Sequence, residues 1–320
     1  SFASAPAKAP AKMRGPAPPT CTRRNLKDAV IMDQPPLCTE PGCRLPALFQ
    51  AEQCRQHLPD PTRYQQKILS SLHDADGANL ARVDLRQVEI MQARLAGATL
   101  TATILDGTVV EQTVLARANL HGISARGATF LEIDGTGMDA SGAVLTATRW
   151  LHANLEDGRF VRAIWESAEL DGVELARADL SYASLRQTAF SRCTLTESWF
   201  TEADLAEATL NGCDLSWAVL AGINGEGLSL QRAALFTTSF VGAFLDGADL
   251  TETWAEQARF SGAVLTGARL SGANLQRAIF READLRGADL RQADLRGAIF
   301  ERANLEGADL TGANLDGANM

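Results

Sequence analysis

An all-β solenoid is the fold class this sequence predicts, on three observations. A five-residue rhythm runs from Ala78-Asn79-Leu80 to Ala318-Asn319-Met320, cleanest at Ala303-Asn304-Leu305, Ala308-Asp309-Leu310 and Ala313-Asn314-Leu315. Counted in fives from Leu80, all forty-nine positions to Met320 stay in register without insertion or deletion. The period suits neither regular element: five helical steps of about 100° return to about 140° and spread the apolar residues over every face, and a strand alternates every two. Units this short bury no core alone, so they must stack on neighbouring copies.

Three shorter segments precede the rhythm. Residues 1–20 carry prolines at 6, 10, 16, 18 and 19, which deny both helical and ladder hydrogen bonds, and the tract reads as a disordered Ala/Pro linker. Residues 21–59 hold Cys38-x4-Cys43-x10-Cys54-x2-His57. Zinc takes four tetrahedral nitrogen or sulfur ligands, and two chelating pairs separated by a loop supply them at low entropic cost. Pro41-Gly42 turns the first pair, and Cys54 and His57 can share one helical turn. The spacing resembles small zinc-binding knuckles of bacterial and phage proteins. A structural zinc on Cys38, Cys43, Cys54 and His57 is expected, against free thiols in an irregular cap or a disulfide. Residues 60–74 read as a capping helix. Asp60-Pro61 supplies N-cap and first turn, and Tyr64, Ile68 and Leu72, with Leu69 beside them, form an apolar stripe that can cover the open end of the first coil.

From residue 75 to 320 the motif A(D/N)LXX resembles the pentapeptide repeat family. The resemblance implies a right-handed quadrilateral β-helix of about 12 coils, in which four pentapeptides make one coil and residues i and i+20 stack. The centre and the small residue two before it would face inward and the other three outward. At about 4.8 Å per coil the tower would be about 58 Å long. Taken in steps of twenty, one column of centres gathers Phe160, Phe200, Phe240, Phe260, Phe280 and Phe300, and the others are mostly leucine. Centres Ala125, Gly135, Ala140, Gly225 and Ala255 are undersized. Phe130, Trp150, Phe160 and Trp165 are expected to fill the space nearby, and Gly135, Gly137, Gly225 and Gly227 would allow a local bulge. Cys193 and Cys213, twenty apart at the small inward position, should stack as packing residues.

Charge divides the chain. Residues 1–70 carry ten Lys plus Arg against five Asp plus Glu, and residues 71–320 carry twenty Arg, no Lys and thirty-four acids. An acidic tower disfavours direct nucleic-acid or anionic-membrane binding and suits a basic protein partner, ordinary solubility being the plainer explanation. Acids crowd Glu156, Asp157, Glu166, Glu169, Asp171, Glu174 and Asp179, a band that such a partner could use. Arg281, Arg286, Arg291 and Arg296 ring one coil, with Glu301 and Glu306 as expected ion-pair partners of the first two.

The absence of an 18-residue apolar run argues against a membrane helix, and six cysteines without a secreted framework point to a reducing cytoplasm. The start on Ser1 suggests part of a longer polypeptide, and the stop in mid-pattern at Met320 suggests a cut or an end-to-end homodimer through the last coil.

No nucleophile elbow, phosphate loop or metal-hydrolase pair is present, so no enzyme is expected. Trp217, Phe236 and Trp254 fall on outward positions around centres 215, 235 and 255. One face across three successive coils would hold them, either as a protein-binding patch or flat against the wall or over a bulge near Gly225. The leading expectation is a noncatalytic protein-binding scaffold or adaptor within a larger bacterial protein or assembly, secretion systems among them. The alternative, which the resemblance also implies, is a DNA mimic that modulates type II topoisomerase (gyrase) and protects it from quinolones.

Overall fold

The computed structural model describes residues 55–320 together with Thr39 and Pro41. The described residues belong to the second of two compact units, Leu37–Met320. Linker 1–20 and the expected ligands Cys38, Cys43 and Cys54 lie outside the described residues.

The residue before each centre forms a parallel bridge with its equivalent twenty residues on, and four such ladders make the right-handed quadrilateral β-helix. Face I carries centres Leu80 to Met320, face II Leu85 to Leu305, face III Ile90 to Leu310 and face IV Leu95 to Leu315. Face I's ladder climbs from Asn79 to Asn319 in twelve steps of twenty residues. Face III holds the six short strands β1 Glu89–Met91, β2 Val109–Glu111, β3 Thr129–Leu131, β4 Arg149–Leu151, β5 Glu169–Asp171 and β6 Ala189–Ser191, paired in that order.

Backbone groups are satisfied between coils. The Phe260 N–H donates to the Ile279 carbonyl at 2.7 Å, and the Arg259 N–H donates to Thr238 one coil back at 2.9 Å. At each corner the second residue after the centre has positive φ, as at Gly137 (+66°) and Arg117 (+57°), and the next N–H closes a turn onto the centre's carbonyl.

Inside, the centres and the small residues two before them are almost free of solvent through the middle of the tower. Phe240, Phe260, Phe280 and Phe300 stack at 5.0 Å with their planes within 2–5°, as the column of twenties requires. Cys193 and Cys213 are buried, their thiols facing carbonyls of the preceding coil. A hydrogen bond with Cys213, together with burial, holds the Cys193 thiol far above its usual range.

Three expectations need correction. The space over Gly135 is filled by Met138 and Leu155, either of which would lie 2.8 Å from an added Cβ, and that over Gly225 by Leu245 and Leu228. At these two glycines a large residue at the next small position, three on, thus replaces the missing side chain, whereas Phe130, Trp150, Phe160 and Trp165 meet as ring pairs. No bulge forms: Asp134 and Asn224 keep their bridges, and Gly137 and Gly227 occupy the ordinary positive-φ corner. Finally, Arg281 pairs with Glu301 at 2.9 Å as expected, but Arg286 folds back onto Asp284 at 2.6 Å, as Arg291 does onto Asp289 and Arg296 onto Asp294. In each case the aspartate already accepts the arginine's own N–H, which brings the guanidinium within reach.

The foot of the tower is α1, Pro61–Leu69, whose N-cap Asp60 accepts the Arg63 N–H at 2.9 Å. The helix stops earlier than the expected boundary near residue 74. Ser70 and Ser71 turn their hydroxyls back onto the Lys67 and Ile68 carbonyls and compete with helical continuation, and a 3-10 turn follows at Leu72–Asp74. Ile68 and Leu72 are buried and Tyr64 and Leu69 pack beside them. The Leu72 carbonyl takes the Arg94 N–H of the first coil at 3.1 Å, and Gln65 donates to the Arg86 carbonyl at 3.1 Å, so the segment meets both the apolar end and the ladder edge. No helix among the described residues is long and apolar enough to cross a membrane.

Candidate protein-binding face

On face IV, side chains one residue before a centre, one after and two after make three outward columns. Trp217, Phe236 and Trp254 occupy one of each in three successive coils. Trp217 holds a positive-φ corner (+66°), and its N–H donates to the Phe236 carbonyl at 2.9 Å. The two rings meet edge to face, centroids 5.3 Å apart at 75°. Trp254 stands across the face, bridged to Ala234 below and Asn274 above. Among the described residues its ring meets no other aromatic ring. Phe236 is half-buried, whereas Trp217 and Trp254 are 55% and 59% exposed, so about half of each indole is open to solvent.

Trp199 was missed in sequence. It precedes Phe200 on face I, is 45% exposed, and bridges to Val219, two residues beyond Trp217. The same period that marked Trp254 would have marked it, but counting one face at a time passes over an aromatic on the adjoining face. Thr237, one coil above Trp217, has a buried hydroxyl with no hydrogen-bond partner among the described residues.

Charge around this face is one-sided. Around centres 195, 215, 235 and 255 its outward positions hold three carboxylates, Glu197, Asp214 and Glu256, and no Lys or Arg, and Arg232 at the adjoining corner pairs with Glu252 at 2.7 Å. Glu197 lies one coil below Trp217, Asp214 three residues before it on the same coil, and Glu256 one coil above Phe236. None of the three makes an ion pair among the described residues. In the acidic band expected lower down, four of the seven carboxylates are paired internally. Arg177 spans Glu156 at 3.0 Å and Asp157 at 2.7 Å, Arg149 reaches Glu169 at 3.3 Å, and Arg192 grips Asp171. Those contacts hold the Asp157 and Asp171 carboxyls below their usual range, chiefly through hydrogen bonds from Arg177 and Arg192.

Of the expected zinc ligands only His57 is described, exposed in the 3-10 turn Arg55–His57. Among the described residues no group of three His, Cys, Asp or Glu could hold a metal. His121 and His152 sit on outward corners, the latter over Gly172.

A family model described as pentapeptide repeats matches in eight copies over residues 93–130, 166–197, 200–224, 243–281, 258–297 and 288–320, together more than half of the chain. No curated protein matches in sequence. Among solved structures, HetL, a pentapeptide repeat protein involved in heterocyst differentiation regulation from the cyanobacterium Nostoc sp. strain PCC 7120, is 28% identical, covering 79% of this chain and 92% of its own, TM-score 0.23. QnrB1, a plasmid-mediated fluoroquinolone resistance protein, is 21% identical, covering 72% and 91%, TM-score 0.33. A pentapeptide repeat protein of the Arabidopsis thaliana thylakoid lumen is 22% identical over 39% and 70%, TM-score 0.20.

Proposed function

The chain belongs to the pentapeptide repeat family, and from that premise we propose that it is a noncatalytic protein-binding scaffold or adaptor that engages its partner through Trp217, Phe236 and Trp254. The observation that carries this reading is the pair of half-exposed indoles at 55% and 59%, held on a hydrogen-bonded ladder where buried aromatics would be expected to pack inward. Large aromatics on a rigid wall lose little freedom when covered, which is why they concentrate interface energy. Trp217→Ala combined with Trp254→Ala should abolish co-purification of the native partner and leave the far-ultraviolet circular dichroism unchanged; undiminished capture would remove the face from consideration.

The one-sided acidity of coils 193–258 favours a second reading, a DNA mimic acting on type II topoisomerase. A supercoiling assay with no concentration-dependent effect would discard it. Ahead of α1 in the sequence, Cys38, Cys43, Cys54 and His57 would hold a structural zinc whose closed ligand set supports folding, not catalysis. Metal analysis returning less than about half an equivalent in untreated protein would overturn that assignment.

A further inference from the structure

We propose that the surface formed by Trp199, Trp217, Phe236 and Trp254 docks an arginine-bearing, cationic segment of a partner protein. The inference rests on the protein-binding reading above and adds the chemistry of what is bound.

Charge complementarity selects the occupant. Three carboxylates without an ion pair and no Lys or Arg on this stretch of face IV, with Arg232 at its edge already paired, repel nucleic acid, an anionic membrane or the same face on a second copy. A neutral apolar partner would leave Glu197, Asp214 and Glu256 unpaired at the rim, and the two flanking acids that are half-buried, Asp214 and Glu256, would be covered without compensation.

A guanidinium answers both halves of the surface. Its plane stacks on an exposed indole, and its forked donors reach a carboxylate a coil away, at about 4.8 Å of rise. Lysine offers a point charge without the plane.

Trp217 occupies a positive-φ corner that glycine fills at Gly97, Gly137, Gly297 and Gly317 of the same column and long side chains fill at Arg117, Arg177 and Arg277.

The tryptophans furnish the test. The chain has five, of which Trp150 and Trp165 are 1% and 0% exposed and serve as internal controls. The 15N-labelled chain is titrated with a synthetic arginine–serine repeat peptide, and the indole N–H signals of Trp199, Trp217 and Trp254 are expected to shift while those of Trp150 and Trp165 stay.

Affinity should fall about tenfold in Trp217→Gly, a variant compatible with the corner, and about tenfold in the triple variant Glu197→Gln, Asp214→Asn, Glu256→Gln. It should also weaken with added salt. The charge-matched control Glu282→Gln, Glu301→Gln, Glu306→Gln should bind as the parent does.

Static exposed indoles, equal losses in the two triple variants, or equal binding of a leucine–serine peptide would each overturn the proposal. If a native partner depends on Trp217 and Trp254 but not on the three carboxylates, the cationic inference falls and the protein-binding reading survives. Partner capture indifferent to the tryptophans defeats that reading itself.

Discussion

Asp249 is a carboxylate at 8% exposure on a wall that otherwise turns most of its charge to water. Desolvation pushes its pKa up, but the Thr251 hydroxyl and N–H at 2.6 and 3.0 Å, together with Gln231 and Arg269, outweigh that and leave it below the ordinary carboxylate value. A pKa depressed on folding means stability that is complete above the unfolded value and lost as pH falls through the folded one. Asp249→Asn should therefore lower unfolding free energy by about 2 kcal/mol at neutral pH, the worth of charge-assisted hydrogen bonds. The gap between variant and parent should narrow below about pH 4. Urea titrations at pH 7 and pH 3 measure it, and a gap that widens in acid would contradict the assignment.

At the scale of the element, what the sequence made legible was whatever the twenty-residue period controls. The stack Phe240–Phe260–Phe280–Phe300, the contact of Cys193 with the coil that carries Cys213, and the placement of Trp217, Phe236 and Trp254 on face IV all follow from counting. What resisted counting depends on local competition. Ser70 and Ser71 end α1 by hydrogen bonding backward, a choice that helical periodicity does not encode. Arg286 has Glu306 available twenty residues on, yet takes the aspartate two residues back because the backbone has already oriented it. The Met138 and Leu228 side chains fill space from within the following repeat, which a column-by-column reading assigns to the wrong neighbours. The site was half legible for a similar reason. Its aromatics were found face by face, but Trp199 stands on the adjoining face, and the separation of paired from unpaired acids needed side-chain geometry.

For the whole solenoid, stability is a sum over neighbouring coils, so the consequences of shortening depend on phase. Removing residues 261–280 deletes one full coil and sets Phe300 directly on Phe260, with every other column also preserved. Removing 261–270 leaves each pentapeptide geometrically able to continue the ladder but turns it by two faces. Leu290 would then fall on Phe260 and Phe280 on Leu250. The half-coil deletion forfeits an aromatic stacking contact worth about 1 kcal/mol and overpacks a leucine column at a cost of about 1–3 kcal/mol. Thermal unfolding followed by circular dichroism should therefore place the twenty-residue deletion close to the parent and the ten-residue deletion well below both. Equal midpoints for the two deletions would mean that column identity contributes nothing and the ladder alone holds the tower. Because the aromatic, acid-rimmed surface lies at 197–256, the full-coil deletion leaves its wall in place and should retain partner capture, which would locate binding in those coils and not in the length of the solenoid.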